Sequence, residues 1–380
     1  MTGPFKNLLS PALVRRTGAD LQRAWPAFDR DRFITLATSG LEALEMKARA
    51  MQICAALEAT LPADFGSAAD ILQAALAPLV GGGAGTEPAP GASGLSGWAL
   101  WPVGEYVARQ GQEQPERALD LLHALTQRFT AEFAIRPFIV RHPALVLATL
   151  QRWTTDASAA VRRLVSEGSR PRLPWGLRLT AWVKDPSPTL PLLRALQDDP
   201  DEAVRRSVAN HLNDIAKDHP ALVAAWVQAQ QTDATPQRLA LLRHASRTLI
   251  KQGHAGALAA WGWNRALRGQ ATLVLAPQTV MLGASLTLSL TLRSTAARPQ
   301  ALAIDYAVHH VKASGALSPK VFKGWVIELA AGAERCLVKR HSMRVVTTRR
   351  YRPGAHVIDI RVNGRVVAQA GFELQLPAEV

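Results

Sequence analysis

The sequence predicts two domains of different class, an α-helical repeat array followed by an all-β sandwich. Two observations lead to this prediction. A motif in the middle of the chain recurs after 43 residues, and apolar side chains around it stand at helical spacing. From residue 271 onward, apolar and polar residues alternate, which is the period of half-buried strands. A chain of 380 residues is also long enough to bury two cores.

The first part of the chain has a helical pattern from about residue 18 to residue 80. "LQRAWPAFDRDRFITLATSGLEALEMKARAMQICAALEATL" is rich in Ala and Leu and repeats apolar residues three and four positions apart. The next stretch, "VGGGAGTEPAPGASGLSG" at residues 80–97, has little apolar periodicity. We predict an exposed, flexible loop here, within one helical domain, because helical sequence resumes with "WALWPVGEYVARQG".

The middle of the chain contains an internal repeat. "TTDASAAVRRLVSEGSR" (154–170) aligns with "QDDPDEAVRRSVANHLN" (197–213), so that Val161 corresponds to Val204. Repeats of two-helix units at ~40 to 47 residues are typical of HEAT-like solenoids, in which each pair of helices packs against its neighbours. A weaker third copy follows at residues 237–253. We predict a HEAT-like helical-repeat domain over residues 1–268.

The last part of the chain reads as short strands separated by turns. The alternating segments are "ATLVLAP", "SLTLSLTLRS", "LAIDYAVHHV", "VFKGWVIEL", "ERCLVKRHSM" and "HVIDIRVNGRVVAQAGFEL". Within the last segment, Asn363-Gly364 predicts a two-residue hairpin turn, because a type I′ turn requires positive φ at both central positions. About seven strands in 110 residues predict an immunoglobulin-like (Ig-like) β-sandwich domain over residues 271–380.

The charge balance favours a polyanionic partner. Lys and Arg number 44 against 30 Asp and Glu, and the sequence pI is about 10.6. Residues 271–380 alone hold 14 Lys and Arg against 6 Asp and Glu, a net charge of +8. No apolar run reaches the ~18 to 20 residues of a spanning helix, and two cysteines do not form a disulfide framework. We therefore expect a cytoplasmic protein that binds nucleic acid and not a membrane.

Carboxylates are the residues most able to carry chemistry. No zinc-ligand spacing, phosphate-binding glycine loop or serine nucleophile motif is present, so we expect no metal and no other cofactor. Glu132, Glu167 and Asp214 fall on predicted repeat helices. Arg163 and Glu167 are four residues apart and would share a helix face.

Structural roles must be weighed against these functional ones. Asp201, Arg205 and Arg206 fit a generic HEAT motif in which Asp and Arg form ladders, so we interpret them as scaffold. On pattern alone, Trp175 and Trp182 are more often core residues than ligand contacts. Glu167 differs, because its counterpart in the next repeat is Asn210 and its helix is followed at once by Gly-Ser-Arg-Pro.

The segments "VRRLVSEGSRPRLPWG" and "VRRSVANHLNDIAKDHP" resemble the signature segments of the AlkC-type DNA alkylation repair glycosylases. The resemblance covers most of the chain, and it implies HEAT-like repeats that wrap double-stranded DNA, with a C-terminal Ig-like domain in some members. It also implies hydrolysis of the N-glycosidic bond of cationic alkylated bases, chiefly 3-methyladenine and in addition 3-methylcytosine. The broader superfamily shared with AlkD is thought to excise bases without a base-flipping pocket. We expect a bacterial monomer that acts at the nucleoid.

The resemblance assigns roles to particular residues, and elementary chemistry agrees with them. A base alkylated at N3 is already cationic and leaves readily, so the enzyme must stabilise an oxocarbenium-like sugar and direct a water, which suits carboxylates. Glu167 and Trp175 match the motif, and Asp214 and Glu132 complete the predicted catalytic set, with Trp175 offering a π face to a cation. Arg163, Arg170, Arg172, Arg349 and Arg350 are the predicted DNA-binding residues. Which carboxylate positions the water stays open.

Two other functions are compatible with the sequence. The first is a DNA-binding scaffold that keeps the basic concave face without glycosylase activity. The second is a HEAT adaptor that binds proteins, which the excess of Lys and Arg makes the weaker of the two. Neither alternative would release a methylated base from alkylated DNA.

Overall fold

The computed structural model describes residues 4–79, 93–346 and 349–377. Residues 80–92, which make up most of the loop predicted at 80–97, lie outside the described residues. The chain divides into two compact units, one of residues Met1–Asp218 and Pro236–His244, the other of residues His219–Thr235 and Ala245–Val380. Within the described ranges, no helix is long and apolar enough to cross a membrane.

Helices make up the described chain as far as residue 260, as the sequence predicts. Sixteen α-helices occur in this described part: α1 (Pro11–Ala24), α2 (Arg30–Thr38), α3 (Met46–Thr60), α4 (Phe65–Ala74), α5 (Leu100–Gln110), α6 (Pro115–Thr126), α7 (Arg136–Arg141), α8 (Pro143–Trp153), α9 (Ala159–Gly168), α10 (Thr180–Lys184), α11 (Leu190–Leu196), α12 (Glu202–Ile215), α13 (Pro220–Ala229), α14 (Pro236–Ala245), α15 (Arg247–Gln252) and α16 (Ala255–Ala260).

Short polar side chains fix where several of these helices begin. Ser10 accepts a hydrogen bond from the amide of Leu13 at the start of α1, and Pro11 supplies a first residue that has no amide to satisfy. Asp201 accepts from the amides of Ala203 and Val204 at the start of α12. These caps satisfy amide groups that have no partner inside the helix.

The repeat seen in the sequence is present in the structure. Val161 of α9 and Val204 of α12 are both fully buried, and the two helices pack together. Arg162 and Arg205 each donate to the backbone carbonyls five and six residues earlier. Arg162 also pairs through two nitrogens with Asp199, which precedes α12, so an Asp–Arg ladder joins successive repeats. Asp201 and Arg205 thus have structural roles, as the sequence predicts, although the Asp–Arg pair between the repeats is formed by Asp199 and Arg162. Arg206 is exposed and lies 4.0 Å from Glu202 of its own helix.

The two equivalent helices end differently. α9 stops at Gly168, and Pro171 follows three residues later, where a continuing helix would lose a hydrogen bond and clash with the proline ring. α12 passes the equivalent position, His211, and continues for about one more turn to Ile215. The extra turn carries Asp214, and it lies beside the place where α9 breaks off.

The second unit contains a β-sandwich. Eight strands occur in the described residues: β1 (Gly269–Ala276), β2 (Thr279–Met281), β3 (Ser285–Ser294), β4 (Gln300–Val311), β5 (Leu317–Leu329), β6 (Glu334–Ser342), β7 (Gly354–Val362) and β8 (Arg365–Gln375). They form a three-stranded sheet in the order β1-β3-β6 and a five-stranded sheet in the order β2-β8-β7-β4-β5. The predicted count of about seven was one short, because β2 has only three residues and shows no alternation of its own.

The sandwich core is built from the inward faces of both sheets. Leu288 and Leu290 of β3 pack in one buried cluster with Ile304 of β4 and Ile358 and Ile360 of β7. Along β3 the buried residues alternate with less buried ones, as the period of two predicts. In β7 the alternation is incomplete, because Asp359, between Ile358 and Ile360, is buried as well. Cys54 is buried and Cys336 exposed, and neither forms a disulfide.

Helical residues of the second unit pack directly on the sandwich. Leu258 of α16 and Trp263 form a buried cluster with Ala303 of β4. Asn363 and Gly364 both have positive φ, which confirms the predicted hairpin turn. A Cβ added to Gly364 would lie 2.9 Å from the Cα of Gly253, so this turn rests closely on the end of α15. The structure changes from helix to strand between the end of α16 at Ala260 and the start of β1 at Gly269. The domain boundary at residues 268–271 stays a prediction.

Candidate active site

Two of the predicted carboxylates share one guanidinium group. Arg170 lies just after α9, and its Nη1 donates to Oε1 of Glu167 at 2.7 Å. Its Nε donates to Oδ2 of Asp214 at 2.8 Å, and its Nη2 lies 2.8 Å from the same oxygen. All three side chains are buried. Burial opposes the charge of Arg170, but Glu167 and Asp214 together raise the pKa of this guanidinium.

Each of these carboxylates has a further partner. The hydroxyl of Ser207, on α12, donates to Oε2 of Glu167 at 2.6 Å. The Nζ of Lys217 donates to Oδ1 of Asp214 at 2.8 Å, and its side chain is 43% exposed. Lys217 therefore places a positive charge between the buried network and solvent. The network fixes both carboxylates in position, because every carboxylate oxygen named here has a donor.

Glu132 differs from the other two carboxylates. Its predicted place on a helix is wrong, since it lies in the turn that precedes α7. Its Oε2 lies 3.9 Å from Nη1 of Arg163, which is too long for a hydrogen bond, and has no hydrogen-bond partner among the described residues. Burial raises the pKa of Glu132, and the charge of Arg163 opposes that rise only in part. Glu132 is therefore a carboxyl group with one uncommitted oxygen.

Trp175 stands in the loop between α9 and α10, which comprises residues 169–179. Its side chain is 87% exposed, so the core role that its residue type suggested is wrong for Trp175, whereas Trp182 is buried as expected. The backbone of Trp175 has a φ of 64°, a left-handed conformation that residues other than Gly, Asn and Asp rarely adopt. A large apolar side chain held in the open on strained backbone is a common sign of function.

The sequence did not predict two buried residues of this site. Arg136, at the first turn of α7, is fully buried and donates to the backbone carbonyls of Gly168 at 2.7 Å and Leu177 at 2.6 Å. His211 is also fully buried beside the carbonyl of Ser166, and burial lowers its pKa to about 3. A signal existed for Arg136, because it interrupts the apolar stretch "FAIRPFIV", where a charged side chain must find partners. His211 has polar neighbours in the sequence, so no such signal marked it.

The predicted DNA-binding arginines divide into two groups. Arg170 is buried between the carboxylates, so the structure places it inside the site and not at a DNA-binding surface. Arg172 is half-buried and pairs with Asp218 through two nitrogens at 2.5 and 2.6 Å. Arg163 remains partly exposed at the surface of the site, at 34%. Arg349 and Arg350 lie in the second unit between β6 and β7, with Arg350 exposed.

The chemistry that this arrangement permits follows from its charges. Three carboxyl groups come together from segments that are 35 and 47 residues apart in the chain, and an exposed indole lies on the loop that follows one of them. Such a site can stabilise a developing positive charge and hold a water molecule. No group of three His, Cys, Asp or Glu side chains within the described ranges is arranged to hold a metal ion.

Comparison with known proteins agrees with this fold. A family model described as "DNA alkylation repair enzyme" matches residues 110–249, which include all four predicted catalytic residues. A second model, described as "Uncharacterised protein YhaZ, C-terminal Ig-like domain", matches residues 270–376. The chain is 34% identical to the uncharacterized protein YhaZ of Bacillus subtilis (strain 168) over 372 residues, which are 97% of this chain and 99% of that protein.

A solved structure extends the likeness to three dimensions. The alkylpurine DNA glycosylase AlkC of Pseudomonas fluorescens, bound to DNA containing an abasic site analog, superposes with a TM-score of 0.88. The two proteins are 35% identical, over 97% of this chain and 99% of that one. The fold, the site and these matches define a DNA alkylation repair enzyme with an Ig-like domain after its helical part. Within that class, the chain belongs to the AlkC-type family.

Proposed function

We propose that this protein is a DNA glycosylase that hydrolyses the N-glycosidic bond of cationic alkylated bases, with 3-methyladenine as its main substrate and 3-methylcytosine as a second one. The observation that carries the proposal is that Arg170 holds Glu167 and Asp214 together at the start of the Trp175 loop. The buried Glu132 lies close by, since a Cβ added to Gly168 would be 3.9 Å from its Cα. Membership of a DNA alkylation repair family gives the substrate class its support. The protein would act on double-stranded DNA in the cytoplasm, as a monomer at the nucleoid.

The reaction needs little help at the base. A base methylated at N3 carries a positive charge and leaves as a neutral molecule when the glycosidic bond breaks, so no general acid is required. Positive charge then develops on the sugar, and anionic groups close to it lower the barrier. Glu167 and Asp214, held by Arg170, are suited to this electrostatic role because their positions are fixed before the substrate arrives.

Glu132 is suited to a different role. Its Oε2 has no hydrogen-bond partner in the described part of the chain, so this oxygen can accept a hydrogen bond from the attacking water. A raised pKa also makes its carboxylate a stronger base toward that water. We therefore propose that Glu132 positions the water, while Glu167 and Asp214 stabilise the sugar cation.

Trp175 would contact the cationic substrate. Its indole is fully presented to solvent, and the face of an indole attracts a cation with about 0.5 to 2 kcal/mol, depending on how far the pair is desolvated. An exposed aromatic wedge also supports excision without a base-flipping pocket, since the enzyme must then distort the duplex to reach C1′. Arg163 stands at the surface of the site and would hold a phosphate near the lesion.

The experiment that tests the function is release of bases from methylated genomic DNA. The wild-type protein is incubated with the DNA, and free bases are identified by mass spectrometry. We expect 3-methyladenine first and 3-methylcytosine after it. Glu167→Gln serves as the inactive comparison, and Glu45→Gln as a matched control, because Glu45 is exposed and pairs only with Lys6 among the ion pairs of the described chain. Binding of methylated DNA with no release of any base would favour the non-catalytic scaffold.

A further inference from the structure

The candidate residues of this site come from three separate parts of the chain. These are the turn before α7, the end of α9 with the Trp175 loop, and the last turn of α12. Arg170 joins two of them, α9 and α12, through Glu167 and Asp214. Arg170 itself belongs to the start of the Trp175 loop, so its bonds fix that start and not the residues that follow Trp175. Trp175 is nevertheless held in a strained conformation that needs support from its surroundings. Another side chain must therefore connect the part of the loop after Trp175 to the Glu167 end of α9.

The contacts of Arg136 fill this role. Its Nη1 donates to the carbonyl of Gly168, the residue directly after Glu167, and its Nε donates to the carbonyl of Leu177, two residues after Trp175. Arg136 itself follows Glu132 by four residues, across a single turn. We propose that Arg136 is a positioning residue that holds the Trp175 loop against the Glu167 end of α9. This inference rests on the glycosylase function proposed above.

Close backbone packing around Arg136 supports the proposal. A Cβ added to Gly176 would lie 3.3 Å from the Nε of Arg136, so the loop backbone lies directly on the guanidinium. A Cβ added to Gly168 would lie 2.7 Å from Cγ2 of Ile135, the residue before Arg136, so the end of α9 is equally close. The planar group thus lies between two backbone segments with little room to move. A lysine cannot reproduce this, because its ammonium cannot present two donors in the fixed fork of a guanidinium.

Arg170, at the start of the loop, is bonded to Glu167, but the other bonds in the described loop do not tie the residues after Trp175 to the end of α9. The amide of Gly176 donates to the carbonyl of Leu173, and the amide of Leu179 to that of Pro171, so both bonds close the loop on itself. Arg172 ties the start of the loop to Asp218, beyond the end of α12. Arg136 is the contact that links the far side of the loop, after Trp175, to the residue next to Glu167.

Charge adds a second reason for an arginine at this position. Burial lowers the pKa of Arg136 to about 10, so the side chain is still cationic at neutral pH. Glu132, Glu167 and Asp214 all act electrostatically on it, in the direction that favours its charged form. Arg136 therefore balances part of the negative charge that the site concentrates, while its hydrogen bonds fix the backbone.

The chain offers a matched control for the test. Arg49 is also buried, and it donates to the backbone carbonyls of Lys6, Leu9, Glu42 and Leu44, which belong to neither the Trp175 loop nor the carboxylate cluster. Arg49→Lys should lower the thermal unfolding midpoint, yet leave the single-turnover excision rate of the folded protein within about twofold. Arg136→Lys should lower that rate by about tenfold to a hundredfold, because small displacements of reacting groups are costly.

A double-mutant cycle shows whether Arg136 acts through the loop. In the Trp175→Ala background, Arg136→Lys should lower the rate by less than about threefold, since the contribution of the loop is already lost. If the double variant loses rate by the product of the two single losses, the proposal is overturned. It is also overturned if Arg136→Lys and Arg49→Lys have the same excision rate.

Amide hydrogen exchange distinguishes a failure of this proposal from a failure of the glycosylase function. The amides of Gly176 and Leu179 should exchange faster in Arg136→Lys than in the wild type, and at the wild-type rate in Arg49→Lys. Unchanged exchange in Arg136→Lys overturns the positioning role even if excision is demonstrated. If the wild-type protein releases no base, the glycosylase function fails, and faster exchange still supports the hold of Arg136 on the loop.

Discussion

Glu167 and Asp214 are bound by the same guanidinium, so a change at either residue affects the other. Removing one carboxylate leaves Arg170 with a single anionic partner and so changes how Arg170 binds the remaining carboxylate. Their effects on excision should therefore not be additive, because residues that share a partner are energetically coupled.

Glu167→Gln should keep the fold and lower excision by at least tenfold, which corresponds to ~1.4 kcal/mol of lost transition-state stabilisation. An amide still fits between Arg170 and Ser207, so the main loss is the negative charge. Single-turnover kinetics on methylated DNA measure the effect, and Asp214→Asn is the matched variant. Near-normal excision by Glu167→Gln would assign the electrostatic role to Asp214 or Glu132.

Glu132 should make stability depend on pH in a direction opposite to that of most carboxylates. Because burial raises its folded-state pKa above the ordinary value of 4.5, its contribution is fully present below pH 4.5 and is lost as pH rises through the raised value. Glu132→Gln has no such loss, so it should become more stable relative to the wild type as pH increases above 4.5. Urea denaturation of both proteins from pH 4 to pH 8 tests this, and a constant difference between them would contradict it.

The sequence could predict the identities of these residues but not their surroundings. Glu167, Trp175 and Asp214 were predicted because they lie in the two signature segments, and Glu132 because carboxylates suit the chemistry. The division of labour between them depends on Arg170 and Arg136, which meet their partners across 44 and 41 residues of chain. A single sequence contains no record of such long-range contacts, so Arg170 was mistaken for a DNA-binding residue.

At the scale of secondary structure, the site depends on two helices of unequal length. α9 ends early at Gly168, and α12 extends past the equivalent position with Asp214 in its last turn. Arg170, which lies just after the end of α9, donates to Asp214. The sequence signalled this through Pro171, since a helix does not continue into a proline without losing a bond. It gave no sign that Glu132 sits in a turn, because "AEFAIRPFIV" has a helical apolar pattern.

Gly168→Ala should damage the site by separating these elements. The added methyl would lie 2.7 Å from Ile135 and 3.3 Å from Leu164, so the end of α9 must move away from the Glu132 turn. We expect a loss of roughly 1 to 3 kcal/mol in the free energy of unfolding. We also expect at least about a tenfold loss of excision.

Gly66→Ala is the control for this change. The three atoms nearest to its added Cβ are side-chain oxygens of Asp64 and Gln114, the closest at 3.3 Å. Its excision rate should equal that of the wild type, and its stability should not fall, because alanine favours a helix. Chemical denaturation and single-turnover kinetics provide both readouts. Wild-type behaviour of Gly168→Ala would show that the approach of α9 to the turn is not needed.

At the scale of the whole molecule, positive charge is concentrated in the part of the chain that forms the sandwich. The segment "RVVTTRRYR" at residues 344–352 carries four of the 14 Lys and Arg found after residue 270. We propose that this segment gives the protein a second contact with DNA. A truncation at residue 268 would test this poorly, because it would uncover Leu258 and Trp263, which pack on Ala303.

The double substitution Arg349→Ala/Arg350→Ala should weaken DNA binding and reduce its dependence on salt. Each phosphate contact adds about 0.9 to the slope of log K against log salt, so the slope should fall by about 1 to 2. Binding is measured on a duplex with an abasic-site analogue at several salt concentrations. Arg293→Ala/Arg298→Ala removes the same charge from exposed positions of the sandwich and is the control. An equal change of slope in both variants would mean that net charge, and not a specific contact, is responsible.

The fold class was more predictable than the arrangement of the units. Periods of 3.6 and 2 residues identify helices and strands because they reflect which face is buried, and a 43-residue repeat identifies the solenoid. Packing between distant segments leaves no such periodic trace. The segment His219–Thr235, which contains α13, groups with α15, α16 and the strands and not with the helices that precede it.

The turn at Asn363 determines when the second unit can be completed during synthesis. The side-chain amide of Asn363 donates to the carbonyls of Arg265 and Ala301, and Gly364 rests on Gly253, more than a hundred residues earlier. β2 has its parallel partner in β8, near the end of the chain. Ribosomes add about 5 to 20 residues per second. The residues that cover α15, α16 and the first strands are therefore synthesised several seconds after them. During that time a chaperone has access to the apolar faces of these elements.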